Sequence, residues 1–600
     1  MKKVLSLVLV LVLVVGVFAA CTPKAPDVET PDPDTTPTTT TPDVVAAGWD
    51  GKNLAVCLAS EPETIDPAIN TSVDGANYIQ HLFEGLIKMV DSGSAMTDTC
   101  NLAMNAPGSA ESWEKVVNDD GTVTYTFKMR ADAKWSDGEP VTAHDFVFTW
   151  QRLATPATAA DYAYMIDMVV GYNEIYYGVG TGEFEEVEDE ETGEMAEVEI
   201  MDYADPSTLG IVATDDSTLV ITLSYDCPYF EDVCAFPATF PVRQDIIEAY
   251  GDQWTFDPAT YISNGPFTMT EWVHNSYIKV VPSEHYYDVD SIALESITFQ
   301  LMDDHNAMYS AFVSGDLHFI DEAPQDEIST LLASGVLQIC DYIGTYYACF
   351  QVENAPFDNA LVREAFSLAI DRNYIVEMVT QTGEVPAGGY VPAGIYDAVG
   401  ADGDDFRTAG GDYYALGTAD YEANCEKARA LLAEAGYPDG AGFPAVEYMY
   451  NTSDAHKAIG EALQNMWKTQ LGVDVSLSNQ EWGVFLQTRK NGEYQIARNG
   501  WIADYNDPCS FLDMWYTDGG NNDAQYSNPA YDALIDAAKS TDVPADRMAA
   551  FHAAEDILIG EDHVLAPIYY YVNKYMLNDS INGLYYTPLG YFFYGSCVPA

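Results

Sequence analysis

Positive charge is scarce in this chain: 25 of 600 residues are Lys or Arg, against 94 Asp or Glu. Three of those cations, Arg489, Lys490 and Arg498, nonetheless fall within ten positions of one another. They lie in the stretch NQEWGVFLQTRKNGEYQIARNGWIADYNDP, Asn479 to Pro508, where Trp501 and Asp504 follow closely. Arg offers a planar fork of donors that matches a carboxylate and never loses its charge. A carboxylate such as Asp504 suits an ammonium in turn. Opposite charges held close together among aromatics could therefore grip both charged ends of a short peptide. Surface ion pairing in an acidic protein is the plainer account of the same arginines.

Other chemistries leave little trace. None of the nine histidines forms an HExxH pair, and neither a GxSxG elbow nor a GxxxxGK[ST] loop is present. Carboxylate pairs of the glycosidase kind stay open, since 94 acids supply many by chance. Nine cysteines follow Cys21 singly, without CxxC or zinc spacing. Cys227 with Cys234, or Cys340 with Cys349, are close enough in sequence to pair, yet no disulfide is expected. No metal or cofactor is expected either. The acidic run EFEEVEDEETGEMAEVEIMDY turns at Thr192-Gly193 and reads as a solvated two-stranded ribbon. It lacks the ligand order of a calcium loop.

A formal net charge of -69 and a pI near 4.1 exclude a nucleic-acid partner, which needs a basic surface. They also exclude polybasic attachment to anionic lipid. With 48% hydrophobic residues and 41 Tyr the chain is nevertheless a folded one, long enough for two to four domains. Lys2 and Lys3, the apolar run Val4 to Val17 and then Phe18-Ala19-Ala20-Cys21 describe a secretory signal over residues 1–20. Residues 21–47, rich in Thr, Pro and Asp, read as an extended tether.

The elements that must position the charged stretch are short strands mixed with helices. Period-two alternation marks strands at Asn53 to Ser60, Thr122 to Met129 and Thr218 to Ser224. Helices are expected at Asn359 to Val379, Glu422 to Ala435, Ala455 to Leu471 (capped by Asp454), Pro529 to Ser540 and Pro544 to Ile559. The apolar APIYYYVNKYML closes the series as a strand. Interleaving without a fixed repeat predicts an α/β arrangement of several lobes.

Two blocks carry a family resemblance. The first holds Tyr125, Phe127, Arg130, the run Lys134-Trp135-Ser136-Asp137-Gly138, and Asp145-Phe146. The second is YNTSDAHKAIGEALQNMWKTQLGVDVSLSNQEW, Tyr450 to Trp482. Both resemble the extracellular solute-binding proteins, family 5, and the second is similar to the oligopeptide-binding lipoproteins among them. The likeness runs, more thinly, from Leu54 to the YYYVN run at Tyr569 to Asn573.

The resemblance implies a three-lobed, periplasmic-binding-protein-like clam-shell (type II, cluster C) with a discontinuous first lobe. That lobe would take residues 48–83, 205–343 and 573–600, the second 84–204 with the acidic insertion 183–201, and the third 344–572. The implied function is extracellular capture of short peptides, of about two to five residues at ~3.3–3.6 Å each, for an ABC permease and its ATPase subunits, with no catalysis. The implied site gives the peptide amine to Asp504 and its carboxylate to Arg489, Arg498 and His456. Tyr162, Trp482, Trp501, Tyr571, Asn264 and Asn521 line the pocket. Cys21 would be lipidated, anchoring a monomer to the outer face of the cytoplasmic membrane. Cys349 and Thr71 stand where close relatives carry acids, which implies a weaker preference for basic side chains. Another family cargo (dipeptide, haem or nickel) and peptide-signal sensing remain alternatives.

Overall fold

The computed structural model describes residues 49–93, 104–188 and 195–600; Cys21, the signal segment and the tether lie outside them. Among the described residues, eleven strands form one mixed sheet. Its order runs Phe267–Val273, Tyr277–Pro282, Ser296–Gln300, Asn53–Cys57, Phe319–Ile320, Leu565–Leu577, Gln338–Phe350, Ile496–Ile502, Val446–Asn451, Val475–Gln480, with Val385–Pro386 beside Leu565–Leu577. The chain is thus α/β, as its alternation predicted. Leu565–Leu577 and Gln338–Phe350 are the long members, thirteen residues each, and they join the two halves of the sheet. Their ladder shifts register between Asp341 and Thr345 and again between Tyr346 and Tyr347. Each shift adds local twist and bends the pair where one half passes into the other.

A separate four-stranded sheet contains Ala110–Val117, Val123–Met129, Thr218–Leu223 and Ile211–Asp215. Val123–Met129 alternates buried and half-exposed residues, placing Tyr125 and Phe127 in the core. Thr218–Leu223 thus pairs with Val123–Met129 on one side and Ile211–Asp215 on the other, outside the large sheet. The acidic ribbon is an antiparallel pair, Val179–Glu188 with Met195–Asp202, and its turn lies outside the described residues.

Four of the five expected helices form close to their predicted bounds. The Asn359 to Val379 segment does not form as one piece. Ala360–Leu368 stops, and Asp371 accepts from the Tyr374 N–H at 3.0 Å to begin a new turn at Arg372–Tyr374. A short polar side chain that bonds nearby backbone competes with helix continuation. The cap before His456 is also one residue earlier than expected. Ser453, not Asp454, has the extended backbone and accepts from the His456 N–H at 3.4 Å. Eight cysteines among the described residues are buried and free, including Cys227, Cys234, Cys340 and Cys349.

Candidate functional site

The charged stretch becomes a helix, a strand and a turn. Trp482–Lys490 is helical and ends in Arg489 and Lys490. Ile496–Ile502 is a central strand, antiparallel to Gln338–Phe350 (Ala348 opposite Arg498, Thr345 opposite Trp501) and parallel to Val446–Asn451. Alternation turns Asn499 and Trp501 inward and leaves Arg498, Gly500 and Ile502 half-buried on the opposite face. That face floors a cavity of about 460 Å³. A Cβ on Gly500 would sit 2.3 Å from the Tyr571 hydroxyl, so only glycine lets that ring cross the floor.

Beyond the strand, Asp504 is held by the turn. Its N–H donates to Ser510 Oγ at 2.9 Å, and the Ser510 hydroxyl donates back to Oδ2 at 3.1 Å. Tyr162 OH donates to Oδ1 at 3.3 Å. Asp504 is only 6% exposed and has no cationic partner among the described residues. Burial therefore pushes its carboxyl up to about 8, partly offset by the Ser510 and Tyr162 hydrogen bonds.

Arg498 is the mirror case. Its guanidinium reaches Tyr571 OH at 3.3 Å and lies over the Tyr346 ring at 5.3 Å, and its Nε is buried without a hydrogen-bond acceptor. Tyr346 stacks on Tyr569 at 4.7 Å, so tyrosines surround the cation. No carboxylate pairs with Arg498 among the described residues. Arg489, nine residues earlier, is already occupied: its Nε is 2.7 Å from Asp523 Oδ2, and Asn499 also donates to that carboxylate at 2.9 Å. Lys490 pairs likewise with Asp161 at 2.5 Å. His456 packs against Tyr346, Nδ1 to OH 3.3 Å, and burial, then the nearby Arg498, keeps its imidazole neutral.

Asp504, Arg489, Arg498, His456, Tyr162, Trp482, Trp501, Tyr571 and Asn521 all line this cavity. Asn264 does not. It is 5% exposed, and its amide is taken up by the Glu84 backbone (3.0 Å and 2.8 Å) and Ser109 Oγ (3.1 Å), so it fastens two loops together. Cys349 is also turned away, buried with Sγ 3.3 Å from Tyr494 OH, whereas Thr71 faces the cavity. Spacing gave no hint of Asp523 or Ser510. The tyrosine cage was visible only as the run at Tyr569 to Asn573. At the cavity wall Gln487 donates a hydrogen bond to Glu63 at 2.6 Å, joining segments far apart in sequence. Elsewhere Lys539 bridges Asp167 (2.5 Å) and Asp513 (2.6 Å).

The chain can be compared with known proteins on these features. The profile of the bacterial extracellular solute-binding proteins, family 5 Middle, matches residues 106–523. The chain is 33% identical to the dipeptide-binding protein DppE of Bacillus subtilis over 543 residues, 90% of each chain. It is 34% identical to the periplasmic oligopeptide-binding protein OppA of Salmonella typhimurium over 540 residues, covering 89% of this chain and 90% of the relative. In structure it resembles Haemophilus influenzae OppA in complex with the peptide RPPGFSPFR, with a TM-score of 0.80, 29% identity and coverage of 92% and 99%. The murein tripeptide-binding protein MppA of Escherichia coli gives 0.79, whereas the unliganded open form of MppA gives 0.58. The chain thus superposes better on the peptide complex than on the open form. By sequence profile, by identity along most of its length and by fold, the chain belongs to the bacterial extracellular solute-binding proteins, family 5.

Proposed function

We propose that this protein captures short peptides outside the cell and passes them to an ABC-type permease. The observation that carries the reading is the pair of uncompensated charges on one cavity floor, Asp504 and Arg498. A zwitterion placed between them supplies the ammonium one lacks and the carboxylate the other lacks. Between the ends, unpaired backbone groups of an extended ligand can pair strand-fashion whatever its sequence, and water tolerates varied side chains.

Length follows from the strand. Six residues separate the two charges, at most about 20 Å at ~3.3 Å per residue. Allowing for side chains that reach toward one another, about three to five extended peptide residues fit. That span favours oligopeptides over dipeptides, haem or nickel. Arg489 serves as a support for Asp523 in this reading, and His456 contributes a hydrogen bond rather than a charge. The family's members are binding receptors, so transport energy comes from the partner ATPases.

The same reading takes the register-shifted strands as the hinge between lobes, with closure over the peptide. The sheet joining Ile211–Asp215 through Thr218–Leu223 to Val123–Met129 favours ending the second lobe after residue 223. Anchoring through Cys21 belongs to the proposal too, and loss of membrane association in Cys21→Ala cells would support it. Native mass spectrometry tests the main claim. Purified protein should carry peptides of three to five residues, and Asp504→Asn protein should not. Equal peptide occupancy in both would overturn the assignment.

A further inference from the structure

The two peptide ends leave one wall of the cavity unused. Asp74 stands in the first turn of the helix Val73–Leu82, and Asp321 directly follows the strand Phe319–Ile320; both line the cavity. Every other partly or fully buried acid on these walls except Asp504 has a partner. Glu322 holds Lys574 at 2.9 Å with His305 at 3.9 Å, Asp523 holds Arg489, Asp161 holds Lys490, and Glu384 accepts from the Thr380 hydroxyl at 2.8 Å. Asp74 Oδ2 and Asp321 Oδ1 are buried and accept no hydrogen bond. Among the described residues neither carboxyl forms a salt bridge; Lys574, held by Glu322, acts on Asp321 only from a distance. Burial raises the proton affinity of both carboxyls, and at Asp321 the neighbouring Glu322 and then Asp74 add to it. Trp482, a cavity aromatic, lies close enough to Asp74 to lower its proton affinity.

We propose that Asp74, Asp321 and Trp482 form a subsite for a cationic side chain of the bound peptide, of the lysine or arginine class. The proposal rests on the peptide reading above. Buried carboxyl oxygens that accept no hydrogen bond and form no salt bridge are costly, and an ammonium or guanidinium relieves that cost. The face of a tryptophan adds attraction for the same cation. A metal ion suits the place less, since no group of three ligating side chains occurs among the described residues. Geometry places the subsite away from the amine anchor. The strand before Asp321 is three positions across the sheet from the strand before Asp504, or about 14 Å at ~4.8 Å per step. A residue in the later part of the peptide would thus present the cation. This reverses the expectation drawn from Thr71 and Cys349: the acid missing at Thr71 is matched by one three residues on, at Asp74 in the helix that follows.

The test measures calorimetric affinities of tetra-alanine and of its variants with lysine, or uncharged norleucine, at each position. At one position lysine should bind at least tenfold more tightly than norleucine. Asp321→Asn and Asp74→Asn should bring that ratio to within twofold while tetra-alanine affinity stays within threefold, with thermal melts checking the fold. Equal binding of lysine and norleucine at all positions, or an intact ratio in both variants, would overturn the subsite alone. If tetra-alanine itself did not bind, the peptide reading would fail and take the subsite with it.

Discussion

Arg489 and Arg498 are nine residues apart, equally scarce and equally close to the same cavity, yet they occupy opposite electrostatic situations. Arg489 ends a helix and meets Asp523 at 2.7 Å, so its charge is spent inside the fold. Arg498 rises from a strand into a ring of tyrosines and, among the described residues, meets no carboxylate. Asp504, at the other end of the floor, is likewise without a counter-ion among them. Clustering of charge in a sequence therefore mixes two kinds of residue. A charge answered by the protein supports the fold, and one left unanswered is, in the proposed reading, free for a ligand.

The largest expected effect tests the unanswered pair. Arg498→Met or Asp504→Asn should weaken tripeptide binding by about 3 kcal/mol, more than a hundredfold, because a desolvated charge in the ligand loses its partner. Stability of the empty protein should not fall: Arg498→Met removes an uncompensated buried charge, and Asp504→Asn replaces a carboxyl that burial keeps protonated below about pH 8 with a neutral amide. Calorimetry with a thermal melt separates the two readouts.

Acidity acts on the same contrast. With Asp504 pushed up to about 8 in the empty site, binding an ammonium at lower pH must first expel a proton. Affinity should therefore rise about tenfold per pH unit from pH 6 toward 8, then level or fall as the peptide α-amine, with a pKa near 7.7–8.0, deprotonates. Buffers of different ionisation enthalpy should report release of close to one proton at pH 6. The sign for folding is opposite. Empty native protein holds this proton where the unfolded chain does not, so Asp504 lowers stability progressively as pH rises from about 4 to about 8.

Arg489→Met should show the reverse split from Arg498→Met. Asp523 is left buried and unpaired, at a cost of about 2–3 kcal/mol in stability, while peptide affinity changes less than threefold. A hundredfold affinity loss with unchanged stability would return Arg489 to the ligand. Smallest is Tyr162→Phe, which deletes one hydrogen bond to Asp504 and should cost about 1 kcal/mol of binding.

Much of this was legible beforehand, and for identifiable reasons. Alternating strands such as Val123–Met129 and Thr218–Leu223 declare themselves through a period that burial imposes directly. The break at Ile370-Asp371 was hidden inside an apolar helical pattern, because a single side-chain cap decides it. Scarcity of cations located the site, and resemblance supplied the roles. Neither could separate Arg489 from Arg498, since the discriminating partner, Asp523, is 34 residues from one and 25 from the other. Asn264 failed as a pocket residue for the same kind of reason: its partners, Glu84 and Ser109, are remote in sequence. Counter-ions fixed by tertiary contact are where a linear reading stops.

The most direct test of the two unanswered charges blocks the ligand's ends instead of the protein's. Affinities of one tripeptide, its N-acetyl form and its C-terminal amide should be measured by calorimetry on wild-type and Asp504→Asn protein. Each blocked peptide should bind wild type at least a hundredfold more weakly, and the Asn variant should no longer distinguish the free from the acetylated amine. Equal affinity of wild type for the free and acetylated peptides would contradict the account.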